Sequence, residues 1–437
     1  MSNPFFSAES SEPMRVIYDI SLLGLNHRAA DGRGGVFRTV ETLAQRLREV
    51  PECALTFSAT QSYKALQQAQ RYLEQATALQ GIPLLLPYSR TGISLGRQIE
   101  RIIRPTRFQQ PVVRRGLSAI YNRFEDRFPR VAPQSLVSAD IFHSPFYAIP
   151  PQAHNQRRMQ KFLTVYDLIP ILFPQYVSNN AVVIASFKAI LASLRPDSWA
   201  LCISESARND LCAYLPIALE QTRITYLAAD PDLFYPCTDP TAIAAAQRKY
   251  GIPAGPYLLS VNTLAPHKNM EHALRAFARL VQEQAIPDLC FVLVGARGWD
   301  YSTIFDTIAH TPGLAARVIV TGYVADGDLA ALYSGALAFV YPSLYEGFGL
   351  PPLEAMQCGV PVVTSNTAAL PEVVGAAGLL VDPRDEDALC QALWTLYRDA
   401  DQRAALAAAG LARARRFSWD QTLAQTRAAY HEALDAR

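Results

Sequence analysis

Short apolar runs alternate with helical stretches along almost the whole chain, and they do so in two series. RVIYDI (15–20), CALTFSAT (53–60), ADIFHSP (139–145), KFLTVYDLIP (161–170), ALCIS (200–204) and RITYL (223–227) form the first. PYLLSVN (256–262), CFVLVG (290–295), RVIVTG (317–322), ALAFVYPS (336–343) and VPVVTS (360–365) form the second. Such near-continuous apolar runs suit strands buried on both faces rather than on one. Helical periodicity lies between them, as in Val36, Val40, Leu43, Leu47 and Val50, or in Met270, Ala273, Leu274, Phe277, Leu280 and Val281. Strands alternating with helices predict an α/β fold in which each parallel sheet is covered on both sides. Ligands of such sheets bind beyond the carboxyl ends of the strands.

The segment between the series, AADPDLFYPCTDPTA (228–242), carries Pro231, Pro236 and Pro240 and reads as a linker. With 437 residues, half of them apolar, the chain is long enough for two cores. Two doubly wound domains facing across a cleft are therefore expected. Charge is balanced, 40 Lys and Arg against 39 Asp and Glu, which argues against wholesale nucleic-acid binding. The seven cysteines are odd in number and form no CxxC pair, as expected of free thiols in a reducing compartment. MSNPFFSAESSEP lacks a basic segment followed by an apolar one, and no apolar run approaches the length of a membrane span. A cytoplasmic protein is the expectation.

The densest chemistry lies in YEGFGLPPLEAMQCGVPVVTSN (345–366). Glu346 is expected on the loop after a strand and Glu354 in the first turn of a short helix, with Pro351 and Pro352 at the start of that helix and Gly359 ending it. The N–H groups and partial positive charge of that helix end suit a pyrophosphate, and Gly347 and Gly349 allow close backbone approach. Carboxylates would repel phosphates, so both glutamates are better placed to accept hydrogen bonds from sugar or ribose hydroxyls. NTLAPHKNM (262–270) follows the first strand of the second series and brings Lys268 towards the same phosphates.

The spacing Glu346-x7-Glu354, followed by GVPVVTSN and by LPEVVGAAGLLVDP (370–383), resembles the retaining, GT-B-fold glycosyltransferases of family 4 (glycosyl transferases group 1), which include bacterial polysaccharide mannosyltransferases. The resemblance covers nearly the whole chain and is weakest between about 60 and 135. It implies two Rossmann-like domains: residues 1–230 for the acceptor, with a basic insertion at about 88–132, and residues 256–415 for the nucleotide sugar. Residues 231–255 would link them, and a helix within 416–437 would pack back towards the first. By the same resemblance Glu354 binds the nucleotide ribose, Glu346 binds donor-sugar hydroxyls, and Phe348, Gly349 and Leu350 offer backbone amides to sugar and phosphates. His143 would lie near the transferred sugar and Asp167 would orient the acceptor. Gly34 and Gly35, in GRGGVFR (32–38), would abut the diphosphate. Lys268 would neutralise the leaving diphosphate; the family's usual second basic residue is missing here, where Asn262 and His267 occupy the candidate donor-side positions.

The expected reaction is transfer of a hexose, mannose ahead of others, from a nucleotide diphosphate sugar to a saccharide or lipid-linked acceptor with retained configuration. No cofactor is implied beyond that co-substrate. No metal is expected either, because helix amides and Lys268 balance the charge and the remaining histidines, His27, His154, His272, His310 and His431, show no ligand spacing. A glycosidase using the two glutamates would have no use for a diphosphate cradle. A nucleotide-sugar epimerase on the same fold and an inactive nucleotide-sugar-binding subunit are the remaining alternatives. Residues 90–130 hold ten arginines against Glu100, Glu125 and Asp126, interleaved with apolar residues, which suits an anionic membrane surface and a place on the inner membrane face.

Overall fold

The computed structural model describes residues 12–26, 34–86, 94–95, 98, 131–177, 180–296, 298 and 301–436. All but three residues of the arginine-rich segment 90–130 lie outside this set. The chain divides into two compact units: one comprises Met1–Thr164, Ala192–Ala200 and Arg427–Arg437, the other Val165–Leu191 and Leu201–Thr426.

Each series of apolar runs forms a six-stranded sheet. The first contains β1 (Met14–Asp19), β2 (Cys53–Ser58), β3 (Ile141–Ser144), β4 (Gln160–Val165), β5 (Ser198–Cys202) and β6 (Thr222–Ile224), in the order β2-β1-β3-β4-β5-β6. The second contains β7 (Tyr257–Val261), β8 (Cys290–Val294), β9 (Val318–Gly322), β10 (Ala338–Tyr341), β11 (Val362–Ser365) and β12 (Leu379–Val381), in the order β12-β11-β10-β7-β8-β9. Its neighbouring strands all pair in parallel. The sequence pattern did not expose β12, whose three residues are too few to show a period.

Both faces of the second sheet are buried, as continuous apolar strands require. Leu259, Val292, Phe339 and Val362 pack on one face with Leu353 and Met356, from the helix Leu350–Gln357. Their strand neighbours Leu258, Phe291, Val340 and Val363 pack on the other with Phe277 and Leu280, from the helix Met270–Glu283. That helix has its apolar positions on one stripe, as its spacing predicts. KFLTVYDLIP stops being a strand at Val165 because the Asp167 carboxylate accepts the Ile169 N–H (2.9 Å) and opens a short helical turn. Gly359, at φ 73°, closes the helix Leu350–Gln357 in the left-handed conformation, as expected. Glu354 is the fifth residue of that helix and so begins its second turn rather than sitting in its first, because the helix starts at Leu350.

Among the described residues no helix is long and apolar enough to cross a membrane. All seven cysteines are free, and Cys53, Cys202, Cys358 and Cys390 are buried.

Candidate functional site

In the second sheet β7 and β10 are neighbours, yet the chain leaves β7 towards β8 on one side and β10 towards β11 on the other. Loops at such a reversal diverge and leave a crevice beyond the strand ends. The two loops are residues 262–269 and 342–349, where the sequence concentrates its candidate residues.

These loops are tied to each other through backbone groups. The His267 carbonyl accepts the Leu344 N–H (2.8 Å) and the Ser343 hydroxyl (2.9 Å). Asn269, held at φ 59°, donates its side-chain amide to the carbonyls of Pro342 (3.1 Å) and Pro383 (2.7 Å). Asparagine tolerates this left-handed conformation better than most residues. The short turn Pro266–Lys268 is thereby pressed against the end of β10, and its last residue points a cation at that strand.

The Lys268 ammonium donates to Glu346 Oε1 at 2.6 Å and to the Tyr341 hydroxyl at 3.0 Å. Both members of the ion pair are largely buried, with 13% and 11% of their side-chain surfaces exposed. Burial alone would push the Glu346 carboxyl up, but Lys268 beside it, with help from His267 and Ser343, holds it below the usual carboxylate range. Burial, reinforced by Lys268, drops His267 to about 4, which leaves the ring neutral at physiological pH. Asp167 is raised to about 6, first by burial; the Ile169 N–H opposes this, and the nearby Glu346 adds to it. One firmly ionised carboxylate, one ammonium and one carboxyl that gives up its proton only near neutrality thus share a small region.

Gly347 lies where the backbone of Tyr166 and Asp167 crosses the 342–349 loop. A Cβ on Gly347 would stand 2.0 Å from the Tyr166 carbonyl oxygen and 2.9 Å from the Asp167 Cβ. The sequence suggested that this glycine admits a ligand; the structure shows that the protein's own backbone needs it. Gly349 takes φ 118° and caps the following helix.

Pro351 and Pro352 have no N–H, so that helix offers fewer donors at its start than a generic one. What replaces them is a run of six backbone N–H groups, from Tyr345 to Leu350 and including those of Phe348, Gly349 and Leu350, that donate to no acceptor among the described residues. Phe348 is buried, with 3% of its surface exposed. Buried backbone donors without partners are rare in folded proteins, and consecutive ones make an anion-binding concavity.

Glu354 is buried and its Oε2 accepts the Tyr333 hydroxyl at 3.0 Å. Asn262 is buried at the end of β7; its side-chain nitrogen donates to Ser260 (2.8 Å), while its Oδ1 has no partner among the described residues. Lys268, His267, Asn262, Asp167, Glu346–Leu350 and Glu354 therefore all belong to the second compact unit.

Gly34, Gly35 and His143 belong to the first. Gly34 precedes the helix Gly35–Arg48 and is exposed, with nothing within 4 Å of where its Cβ would stand. His143, in β3, is fully buried between Tyr430 (Nδ1 to hydroxyl, 2.6 Å) and Thr164 (Nε2 to hydroxyl, 2.8 Å). Burial lowers it to about 3, so it is neutral. With both nitrogens engaged, a sugar would reach the ring only after Thr164 or Tyr430 lets go.

Sequence reasoning missed Tyr341, Tyr333, Ser343 and Asn269, which hold the charged residues in place. It also missed Tyr345, whose hydroxyl bonds Asp210 and whose ring tilts against Phe173 at 5.2 Å. Tyr341 carried a faint signal as a polar-tipped residue at the end of an apolar strand.

Residues 243–413 match the family profile described as glycosyl transferases group 1. Over 291 residues the chain is 35% identical to O-antigen chain mannosyltransferase B of Escherichia coli, covering 66% of this chain and 74% of that protein. It is 29% identical to the serotype-specific mannosyltransferase WbdA of the same species over 67% of its own length, but spans only 36% of that longer protein. Among solved structures, Anabaena HepE in complex with UDP and glucose superposes with a TM-score of 0.65 at 19% identity, covering 97% of this chain and all of that one.

Proposed function

Because the chain belongs to the glycosyl transferases group 1 family and has its GT-B fold, we propose that it transfers mannose, from a nucleotide diphosphate donor such as GDP-mannose, to a saccharide or lipid-linked acceptor in surface polysaccharide or glycolipid synthesis. One observation carries this reading: the unpartnered N–H groups of Phe348–Leu350 stand in the same loop as Glu346, the ion-pair partner of Lys268. Donors without acceptors beside a buried ammonium suit a diphosphate, and the carboxylate next to them suits the hydroxyls of the attached sugar. Mannose is favoured because the relatives named above are mannosyltransferases.

In this reading the anomeric C–O bond to the diphosphate breaks while the acceptor oxygen bonds the same carbon from the same face, which retains the configuration. The departing phosphate oxygen takes the acceptor's proton. Charge growing on that oxygen is met by Lys268 and the loop amides, so no metal is required. Glu346 grips sugar hydroxyls through the oxygen that Lys268 leaves available, Glu354 takes the ribose hydroxyls, and Asp167 orients the acceptor. The test is transfer of labelled sugar from a panel of nucleotide sugars to oligosaccharide and lipid-linked acceptors. Release of an epimerised donor without any acceptor would overturn it.

Glu354→Ala should weaken nucleotide donor binding by about 1.5–3 kcal/mol, the scale of losing a charged hydrogen-bond acceptor. Calorimetric titration with the nucleoside diphosphate reads this directly, and an unchanged affinity would remove the ribose assignment.

The segment 90–130 holds ten basic residues against three acidic ones, and we assign it to an anionic bilayer at the inner membrane face. Sedimentation with anionic vesicles should show binding that weakens towards about 0.5 M salt as screening shortens the reach of exposed charges. Changing Arg101, Arg104, Arg114 and Arg115 to Ser should abolish it. Equal recovery with neutral vesicles would point to a soluble acceptor.

A further inference from the structure

A lysine ammonium has three N–H donors arranged tetrahedrally, and two of those on Lys268 are already committed. One goes to Glu346 Oε1 at 2.6 Å and one to the Tyr341 hydroxyl at 3.0 Å. Two fixed directions on a tetrahedral centre determine the third, and the third has no acceptor among the described residues.

Tyr341 is well built for holding one of these directions. It ends β10 with 1% of its surface exposed, and its ring stacks on Phe339 at 5.9 Å. The Thr364 hydroxyl bonds its carbonyl at 2.7 Å, which anchors the backbone to β11. The ammonium also lies over the ring, 5.4 Å from its centre. Burial keeps the phenol protonated, as does the negative charge of Glu346 nearby. The hydroxyl therefore accepts a hydrogen bond from the Lys268 ammonium, beside the Glu346 carboxylate that the same ammonium binds.

We propose that Tyr341 is a positioning residue that, together with Glu346, aims the free N–H of Lys268 at the leaving diphosphate. The inference rests on the proposed sugar transfer. Tyr341 touches neither sugar nor phosphate; without its hydroxyl the ammonium keeps its charge but is free to turn about its bond to Glu346. Attraction in the ground state tolerates such turning, whereas the growing charge on the departing oxygen needs the donor aimed.

The test is Tyr341→Phe, which keeps the ring and its stacking. We expect kcat to fall about tenfold, the worth of one well-aimed hydrogen bond, with KM for the donor within about twofold. A packing role would not separate these constants, so the split is the informative readout. A second comparison is made in a Lys268→Met background, where Tyr341→Phe should cost nothing further because there is no ammonium left to aim. Thermal unfolding of each variant confirms that it is folded. If Tyr341→Phe keeps the wild-type kcat, or loses the same factor in both backgrounds, the positioning role is overturned while the sugar-transfer reading stands. A folded wild type that transfers sugar from no nucleotide donor overturns that reading and this inference with it.

Discussion

Replacing Lys268 by alanine is expected to lower the rate of sugar transfer by roughly a hundredfold or more, on the scale of removing a group that stabilises charge in the transition state. The loss should fall mainly on kcat, because in the proposed reading the loop amides of Phe348–Leu350 remain to bind the diphosphate in the ground state. Excess EDTA should leave the wild-type rate intact if, as proposed, Lys268 and the amides supply the positive charge. Inhibition by EDTA that Mn²⁺ reverses would show that a divalent ion carries the charge. The substitution also leaves Glu346 largely buried without its cation. Its carboxyl is held below the usual range chiefly by Lys268, so in the variant burial prevails and the carboxyl titrates higher than in the wild type.

Gly347→Ala is expected to be as damaging to activity by a different route. The new methyl group would stand 2.0 Å from the Tyr166 carbonyl oxygen, a backbone atom, so no flexible side chain can yield. Overpacking of this kind costs about 2–3 kcal/mol of stability, which urea unfolding measures. The catalytic consequence is larger than the stability suggests. Gly347 follows Glu346 directly, and the backbone it would displace leads into Asp167, so separating the two segments moves both carboxyl groups; misplacement by about 1 Å costs on the order of a hundredfold in rate. A folded variant with near-normal turnover would show that the two segments part without disturbing either group.

The fold was readable because burial on both faces leaves a strong imprint. Continuous apolar runs such as CFVLVG and ALAFVYPS are hard to place anywhere but in a covered parallel sheet, and each became a strand. Gly359 and the proline pair marked the ends of the helix Leu350–Gln357 for equally direct backbone reasons. The charged residues of the site were visible because their spacing resembles a family. What holds them was not visible. Tyr341 and Tyr333 are apolar in sequence statistics, and only the fold turns their hydroxyls towards Lys268 and Glu354. Gly347 was recognised as special, but its closeness to Tyr166 was not: a sequence cannot show that residues 166 and 347 cross. Nor does composition reveal that His143 has both nitrogens taken, since Tyr430 lies 287 positions away.

That distance bears on how the protein is made. The first compact unit is assembled from three stretches of chain, and the last of them begins at Arg427. Tyr430 from that stretch bonds His143 and packs edge-on against Phe162 at 4.9 Å. A ribosome delivers residues 1–164 long before it delivers Tyr430, at roughly 5–20 residues per second, so the unit that starts first cannot finish until the intervening chain exists. For that interval, on the order of tens of seconds, its newborn core has a vacancy beside a histidine that burial has not yet stripped of its affinity for protons. Chaperone engagement during synthesis is therefore to be sought at the first unit, and its release timed to the arrival of residue 430.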